Sequence, residues 1–147
     1  MRLIFLAFAL LAGTLLPTQA GINAQLAKQL GNPLLAATIS FSVGTLALLL
    51  FTAMSHPSLP TFERLIQIPW YFWLGGLLGV MYLTATIILA PLLGAASMIG
   101  LIVTGQMLAA IALDHFGLVG FPIHPLSPGR LIGGVLLVAG VILVQRT

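Results

Sequence analysis

Two carboxamide side chains near the start of the chain have the spacing of a ligand-binding pair. Gln19 and Asn23 are four residues apart, which places them on one face of a helix. Pro17 precedes them, and a proline inside a helix leaves a carbonyl of the preceding turn without its amide donor. Two amides and a free carbonyl could coordinate a neutral or cationic solute. Alternatively, they could bond only to neighbouring helices.

Two further polar residues stand within or beside apolar stretches. Gln106 follows Gly105 in the middle of one such stretch, where an amide must find a partner or water because burying it unpaired is costly. It either lines a path for a solute or ties two helices together. Asp114 stands at the end of the same stretch. A carboxylate there could bind a proton or a cation and couple it to transport, or it could be a hydrated group at a helix end.

The other reactive residue types do not form a catalytic or metal site. The chain has no cysteine, and its three histidines, His56, His115 and His124, are widely separated. There is no glycine-rich phosphate loop, no pair of acids and no nucleophile with a neighbouring base. We therefore expect no catalytic residue, no metal and no cofactor, and we predict that the protein is not an enzyme.

The composition indicates that the elements carrying these residues lie in a membrane. Of 147 residues, 60% are apolar and 5% are charged, whereas soluble domains carry roughly 25% charged residues. So few charges cannot cover a surface that faces water, so the solvent must be mainly lipid. The cations are scattered and form no basic patch, which argues against nucleic acid as a partner. They are Arg2, Lys28, Arg64, Arg130 and Arg146.

Five apolar stretches are long enough to cross a bilayer, for which about 20 residues are needed. They must be helical, since an unpaired backbone amide in hydrocarbon costs several kcal/mol and no strand-like alternation is present. The sequence therefore predicts an all-α, polytopic membrane helix bundle with five transmembrane helices in a single domain over residues 1–147. The predicted spans are about 3–24, 33–54, 70–89, 94–113 and 129–144.

Local signals mark some of the span ends. Asn32 followed by Pro33 is typical of a helix start, and the aromatic run Trp70 to Trp73 is typical of the membrane interface. The first span also has features of a cleavable signal peptide, with Thr18-Gln19-Ala20 as a candidate cleavage site. We expect this span to be retained, because its proline and amides suit a helix with a role in the mature protein.

The charges give a weak preference for one orientation. Five spans put the termini on opposite faces, so that Arg2, Arg64 and Arg130 share the amino-terminal face while Lys28 and Arg146 lie on the other. This bias predicts an amino terminus in the cytoplasm. Because the bias is small, some molecules could insert in the opposite orientation.

Several glycines have the spacing of helix-packing residues. Gly75 and Gly79 form a small-xxx-small pair in the third span, and Gly100 and Gly105 lie in the fourth. Such residues let helix backbones approach closely within a bilayer. We therefore predict that these four glycines serve helix packing.

The motifs together resemble the YdcZ-like family of the drug/metabolite transporter superfamily. They are Gly13-x-x-x-Pro17-x-Gln19-x-Gly21-x-Asn23-x-Gln25-Leu26, Gly31-x-Pro33, Ser40-Phe41-x-x-Gly44-Thr45, Gly75-Gly76-x-x-Gly79, Gly94-Ala95-Ala96, Gly105-Gln106 and Asp114-His115-Phe116-Gly117. The resemblance covers nearly the whole chain and implies a multi-pass protein of the cell inner membrane, similar to one five-helix half of an EamA-type transporter. It implies a half-sized transporter or exporter but names no substrate. Small multidrug-resistance relatives have a glutamate in the first helix, which this chain lacks.

These observations combine into one functional prediction. Many transporters consist of two inverted repeats with the substrate site at the membrane midplane, and a five-span chain can supply only one repeat. We expect the protein to transport a small solute by alternating access, either as a homodimer, whose partners could be inverted, or paired with a paralogue. Pro17, Gln19, Asn23 and Gln106 would line the path, and Asp114 would be a candidate coupling group. The alternative is a non-transporting membrane subunit of a larger complex.

Overall fold

The architecture of the chain is given by a computed structural model that describes residues 2–146. The fold is all-α, as predicted, with no β-strand in the described part. The helices are α1 (Arg2–Leu30), α2 (Pro33–Ser55), α3 (Phe62–Ile66), α4 (Leu74–Leu93), α5 (Ala95–Phe116) and α6 (Pro128–Gln145). Two short 3-10 turns, Trp70–Trp73 and Leu118–Gly120, precede α4 and follow α5.

Five of these helices are long and apolar enough to cross a membrane, which confirms the predicted number of spans. They are α1, α2, α4 together with the aromatic turn before it, α5 and α6. The last of them has 18 residues and is about 27 Å long at 1.5 Å per residue, close to the hydrocarbon thickness of a bilayer. Most of their apolar side chains are exposed on the protein surface, as expected of helices whose solvent is lipid.

Several helix boundaries differ from the predicted span limits. The first span was predicted to end near residue 24, but α1 continues to Leu30 because Gln, Leu, Ala and Lys after Ala24 are all good helix formers. Helix α4 continues through Pro91 to Leu93, although the third span was predicted to end near residue 89. The helix breaks only at Gly94, whose φ of 73° is left-handed backbone that glycine adopts without strain. Phe62–Ile66 forms a short helix that was not predicted.

The predicted start of α2 is confirmed in detail. The Asn32 side-chain Oδ1 accepts hydrogen bonds from the amides of Leu34 at 2.8 Å and Leu35 at 3.3 Å, and Pro33 occupies the first helical position. A similar cap starts α6, where Ser127 Oγ accepts from the Arg130 amide at 3.3 Å and Pro128 follows the cap. Both caps satisfy amides that have no partner inside the helix.

The chain forms two compact units, one up to Leu92 and one from Leu93 onwards. In the first unit, α1, α2 and α4 meet in a core of Ala27, Ala36, Ala37, Leu83 and Ile87. The three alanines allow close approach of helices, which is the main source of packing energy where lipid supplies no hydrophobic drive. The expected single domain over 1–147 stays a prediction.

The second unit consists of α5, α6 and the segment between them. Gly100 on α5 lies against Val141 on α6, such that an added Cβ would be 3.0 Å from a Val141 methyl. Gly134 on α6 lies in the same way against Leu108 and Ile111. These contacts at glycines on both helices hold the α5–α6 pair closely together.

Candidate functional site

A groove with polar lining lies on the first unit, between α1, α2 and α4. It has a volume of about 360 Å³ and is called here the unit-1 groove. Its polar side chains are Gln19 from α1, Ser40 and Thr45 from α2, and Tyr82 from α4. The rest of its lining is apolar or glycine, namely Leu16, Phe41, Gly44, Leu48, Gly79 and Leu83. No charged side chain lines it, so the groove offers an amide, hydroxyl groups and aromatic rings.

Two glycines, one on α2 and one on α4, help to shape the unit-1 groove because they lie beside large side chains. Gly44 leaves space on α2 between Phe41 and Leu48, and Gly79 on α4 faces the Phe41 ring, 3.6 Å from the position of an added Cβ. A larger residue at position 79 would contact this ring. A substitution that disturbs the predicted packing at Gly79 would therefore also change the shape of the groove.

The structure places the two amides of α1 in different environments. Gln19 is exposed at the groove, whereas Asn23 is 4% exposed and lies in line with the buried alanines Ala20 and Ala27. Pro17, half-buried, does not interrupt α1, which stays helical on both sides of it. Since proline has no amide proton, the carbonyl of Gly13 lacks the usual helical donor at this position.

Asn23 is the most unusual of these residues energetically. Its Nδ2 is buried and has no hydrogen-bond partner in the described part of the chain. The Thr84 hydroxyl on α4, in the same unit, is the other buried side-chain group without a partner among the described residues. Leaving such a group unpaired costs about 1–3 kcal/mol. Sites that carry this cost are candidates for binding a polar molecule.

Gln106 lies in the second unit. Its side chain is exposed on α5 and makes no hydrogen bond to any residue between 2 and 146. Pro17, Gln19 and Asn23 lie in the first unit, so a path lined by all four residues stays a prediction. Of the other predicted packing residues, Gly100 contacts Val141, while Gly75 and Gly105 have no atom within 4 Å of an added Cβ beyond their own helix and chain neighbours.

Asp114 belongs to a polar cluster that ties the end of α5 to the start of α6. Its Oδ2 is 3.2 Å from Nη1 of Arg130, and the same Nη1 donates to the carbonyl of His124 at 3.1 Å. The His124 amide donates to the Asp114 carbonyl at 2.9 Å, and Nδ1 of His115 accepts from the Leu126 amide at 3.1 Å. We call these four residues, Asp114, His115, His124 and Arg130, the α5–α6 clasp.

The clasp gives Asp114 a structural partner that the sequence did not reveal. The carboxylate is about a quarter exposed and the guanidinium about a third exposed, so water still reaches both groups. Asp114, His115 and His124 are residue types that can bind a metal. In residues 2–146, however, no group of three or more His, Asp or Glu side chains is arranged to hold one. The coupling role of Asp114 stays a prediction.

Ser40, Thr45 and Tyr82 were not predicted as site residues. Ser40 and Thr45 are five positions apart on α2, and single hydroxyls are common inside membrane helices, where they usually bond to a carbonyl of the preceding turn. Both residues belong to the motif Ser40-Phe41-x-x-Gly44-Thr45, but the spacing of their hydroxyl groups did not indicate a site. What distinguishes them is that they face the same groove as Gln19, which depends on how α2 and α4 are rotated against α1.

Comparison with known proteins gives the family of the chain. A profile of the family described as "Putative inner membrane exporter, YdcZ" matches residues 4–143. The chain is 28% identical over 141 residues to "Inner membrane protein YdcZ" of Escherichia coli (strain K12), an alignment that covers 96% of this chain and 94% of that protein. No solved structure matches the chain. With five membrane-spanning helices and a match over nearly its whole length, the chain belongs to this family of multi-pass inner-membrane proteins, within the drug/metabolite transporter superfamily.

Proposed function

We propose that this protein carries a small polar solute through the inner membrane and that the unit-1 groove binds the solute. The observation that carries the proposal is the convergence of Gln19, Ser40, Thr45 and Tyr82 on one cavity in otherwise apolar helices. Family membership supports transport over enzymatic chemistry. Ligand pockets typically combine mainly apolar walls with a few polar groups that fix orientation, and the unit-1 groove has this composition.

The chemistry of the groove favours a neutral or cationic solute with hydrogen-bonding groups. Its lining has no cation that would attract an anion, and the Phe41 and Tyr82 rings suit apolar parts or positive charge. Asn23 is buried on α1, one turn beyond Gln19 and outside the groove lining, so its unpaired Nδ2 would donate to the solute or to accompanying water only when the helices move apart during transport. Such a donor stabilises a solute most when it has no competing partner in the empty protein.

We propose further that two chains form the working transporter. A five-helix chain corresponds to one repeat of transporters that are built from two inverted repeats, and alternating access would arise from one bundle rocking against the other. The second copy would be another molecule of this chain or a paralogue, and the small charge bias between the two faces would permit inverted partners. The amino terminus would lie in the cytoplasm in the favoured orientation. Gln106 would line the path and Asp114 would couple transport to an ion.

The absence of cysteine makes the proposal directly testable by thiol labelling. Single cysteines at Gln19, Ser40 and Thr45 are expected to react with a membrane-impermeant methanethiosulfonate reagent, because the groove must be hydrated for a polar solute to pass. Val43→Cys is a matched control, since it is on α2 between Ser40 and Thr45 and 64% exposed but outside the groove lining. It should face lipid and stay unlabelled.

The labelling pattern also separates the two functional classes. Equal protection of all four cysteines would show that the groove is closed to water, which contradicts a solute path and favours a non-transporting subunit. If the groove cysteines react, their labelling should slow in the presence of a transported solute. Candidates come from a thermal-shift screen of metabolites and lipophilic cations on the purified protein.

A further inference from the structure

A second groove, on the other unit and separate from the proposed solute site, has the form of a lipid-binding site. It runs along one side of the α5–α6 pair with a volume of about 360 Å³ and is called here the α5–α6 groove. Apart from Arg130, its lining is entirely apolar or glycine. Its lining includes Leu108 from α5 and Leu131, Val135, Val138 and Ile142 from α6.

The length of the α5–α6 groove matches one leaflet of a bilayer. Its lining on α6 begins at Arg130 and ends at Ile142, a distance of about 18 Å at 1.5 Å per residue. Half of the hydrocarbon core is about 15 Å thick. A single acyl chain that starts at the level of Arg130 would therefore fill the groove and end near the bilayer midplane, whereas a membrane-spanning helix would extend well beyond it.

The charge at one end of the groove selects the headgroup. Arg130 lies in the first turn of α6, so it would be close to the membrane surface when α6 spans the bilayer. Only its Nη1 is used by the α5–α6 clasp, to Asp114 and to the His124 carbonyl. Its Nε and Nη2 bond to no residue in the described range, which leaves one edge of the guanidinium for two further hydrogen bonds. Arginine presents such an edge to phosphate in planar, bidentate geometry.

The carboxylate of Asp114 pairs with Nη1 of Arg130 but does not line this groove. Asp114 lines an adjoining cavity, together with Met107, Ala110 and Leu137. Arg130 lines both cavities, so its guanidinium is shared between the carboxylate on one side and the apolar groove on the other. The α5–α6 groove itself thus has a cation at one end and no acid in its lining.

From the length, lining and charge of this groove we infer that it binds one anionic phospholipid, with an acyl chain between α5 and α6 and the phosphate on Arg130. Basic pockets between membrane helices are a recognised mode of anionic-lipid recognition. The bound lipid would also brace the clasp, because the same guanidinium would then join α5, the segment before α6 and the headgroup. This inference does not depend on the solute that the protein transports.

The test is native mass spectrometry of the purified protein with an equimolar mixture of phosphatidylglycerol and phosphatidylcholine that have identical acyl chains. We expect one phosphatidylglycerol molecule to be retained in preference. Arg130→Gln should weaken that preference about fivefold, as expected for one arginine–phosphate contact at a membrane surface. Arg146→Gln, the matched control at the other end of α6, should leave it unchanged.

A second variant tests the acyl-chain part without touching the clasp. Val138→Phe should fill the groove and reduce retention of the lipid while Asp114 and Arg130 stay paired. Equal retention of the two lipids by the native protein, or unchanged retention in Val138→Phe, would overturn the inference. If millimolar inorganic phosphate displaces the bound lipid as effectively as added phosphatidylglycerol does, the site binds free phosphate instead. Replacement of the lipid by a second copy of the chain in the same spectra would show a dimer interface.

Discussion

The close contact between Gly100 and Val141 gives a quantitative prediction about the second unit. In Gly100→Ala the new methyl group would lie 3.0 Å from Val141 Cγ2 and 3.6 Å from Cγ1. Carbon atoms in good contact are about 3.5–4.0 Å apart, so about half an ångström must be gained. Val141 is β-branched and has one strongly preferred rotamer in a helix, so the side chain cannot turn away without strain. The helices must move apart instead.

The expected change in stability is the difference between two opposing effects. Overpacking of this kind costs about 1–3 kcal/mol, while replacing glycine by alanine inside a helix gains about 0.5–1 kcal/mol. We therefore expect Gly100→Ala to lower the free energy of unfolding by about 0–2.5 kcal/mol. Gly105→Ala on the same helix has no such contact and should instead raise the free energy of unfolding slightly.

The assay is SDS-induced unfolding in detergent micelles, followed by far-UV circular dichroism. A double-mutant cycle with Val141→Ala isolates the contact, because removing the valine methyls relieves the clash. The cost of Gly100→Ala should be smaller in the Val141→Ala background than in the native one. If Gly100→Ala is as stable as Gly105→Ala, or if the cycle shows no coupling, the close packing of α5 on α6 described here is wrong.

Three further predictions concern transport and topology. Gln106→Ala should abolish flux of a solute identified by thermal shift in proteoliposomes while leaving expression and oligomer size intact, and persisting flux would remove Gln106 from the path. Asp114→Asn should lower the free energy of unfolding by at most about 1 kcal/mol, because its partner Arg130 is partly exposed. The variant should abolish solute accumulation driven by an ion gradient and spare solute exchange. An unaltered response to the gradient would exclude a coupling role. Ser58→Cys, in the segment between α2 and α3, should be labelled from outside in only a fraction of molecules if both orientations occur, whereas complete or absent labelling would show a single orientation.

The number and type of the membrane helices could be predicted because hydrocarbon imposes them. A backbone amide has no partner in lipid other than its own helix, so each long apolar stretch has one available structure. The start of α2 was equally predictable, because Asn32 and Pro33 act on amides only two or three residues away. The ends of α1 and α4 were harder to predict from the sequence. Hydropathy marks where a helix leaves the hydrocarbon, and the helix itself can continue, as α1 does through Lys28 to Leu30.

The candidate site was only partly predictable, because it depends on which helix faces share a groove. The four-residue spacing of Gln19 and Asn23 gave their approximate direction on α1, but not that one would be exposed and the other buried. That difference arises from the packing of α2 and α4. No spacing in the sequence connects Tyr82 with Gln19, because the two residues lie on different helices and only line the same groove in the folded protein. Periodicity describes one helix at a time and contains no information about the rotation of its neighbours.

The short turn between α1 and α2 has a consequence for biogenesis. Only Gly31 and Asn32 separate the two helices, and Gly31 has a φ of 68°, a conformation that other residues adopt at a cost. A connection of two residues is too short to cross the bilayer or to let one helix insert far from the other. Helices α1 and α2 must therefore integrate together as a hairpin, and the decision about which way the protein faces is made jointly by both helices, with Lys28 carried to whichever side receives the turn.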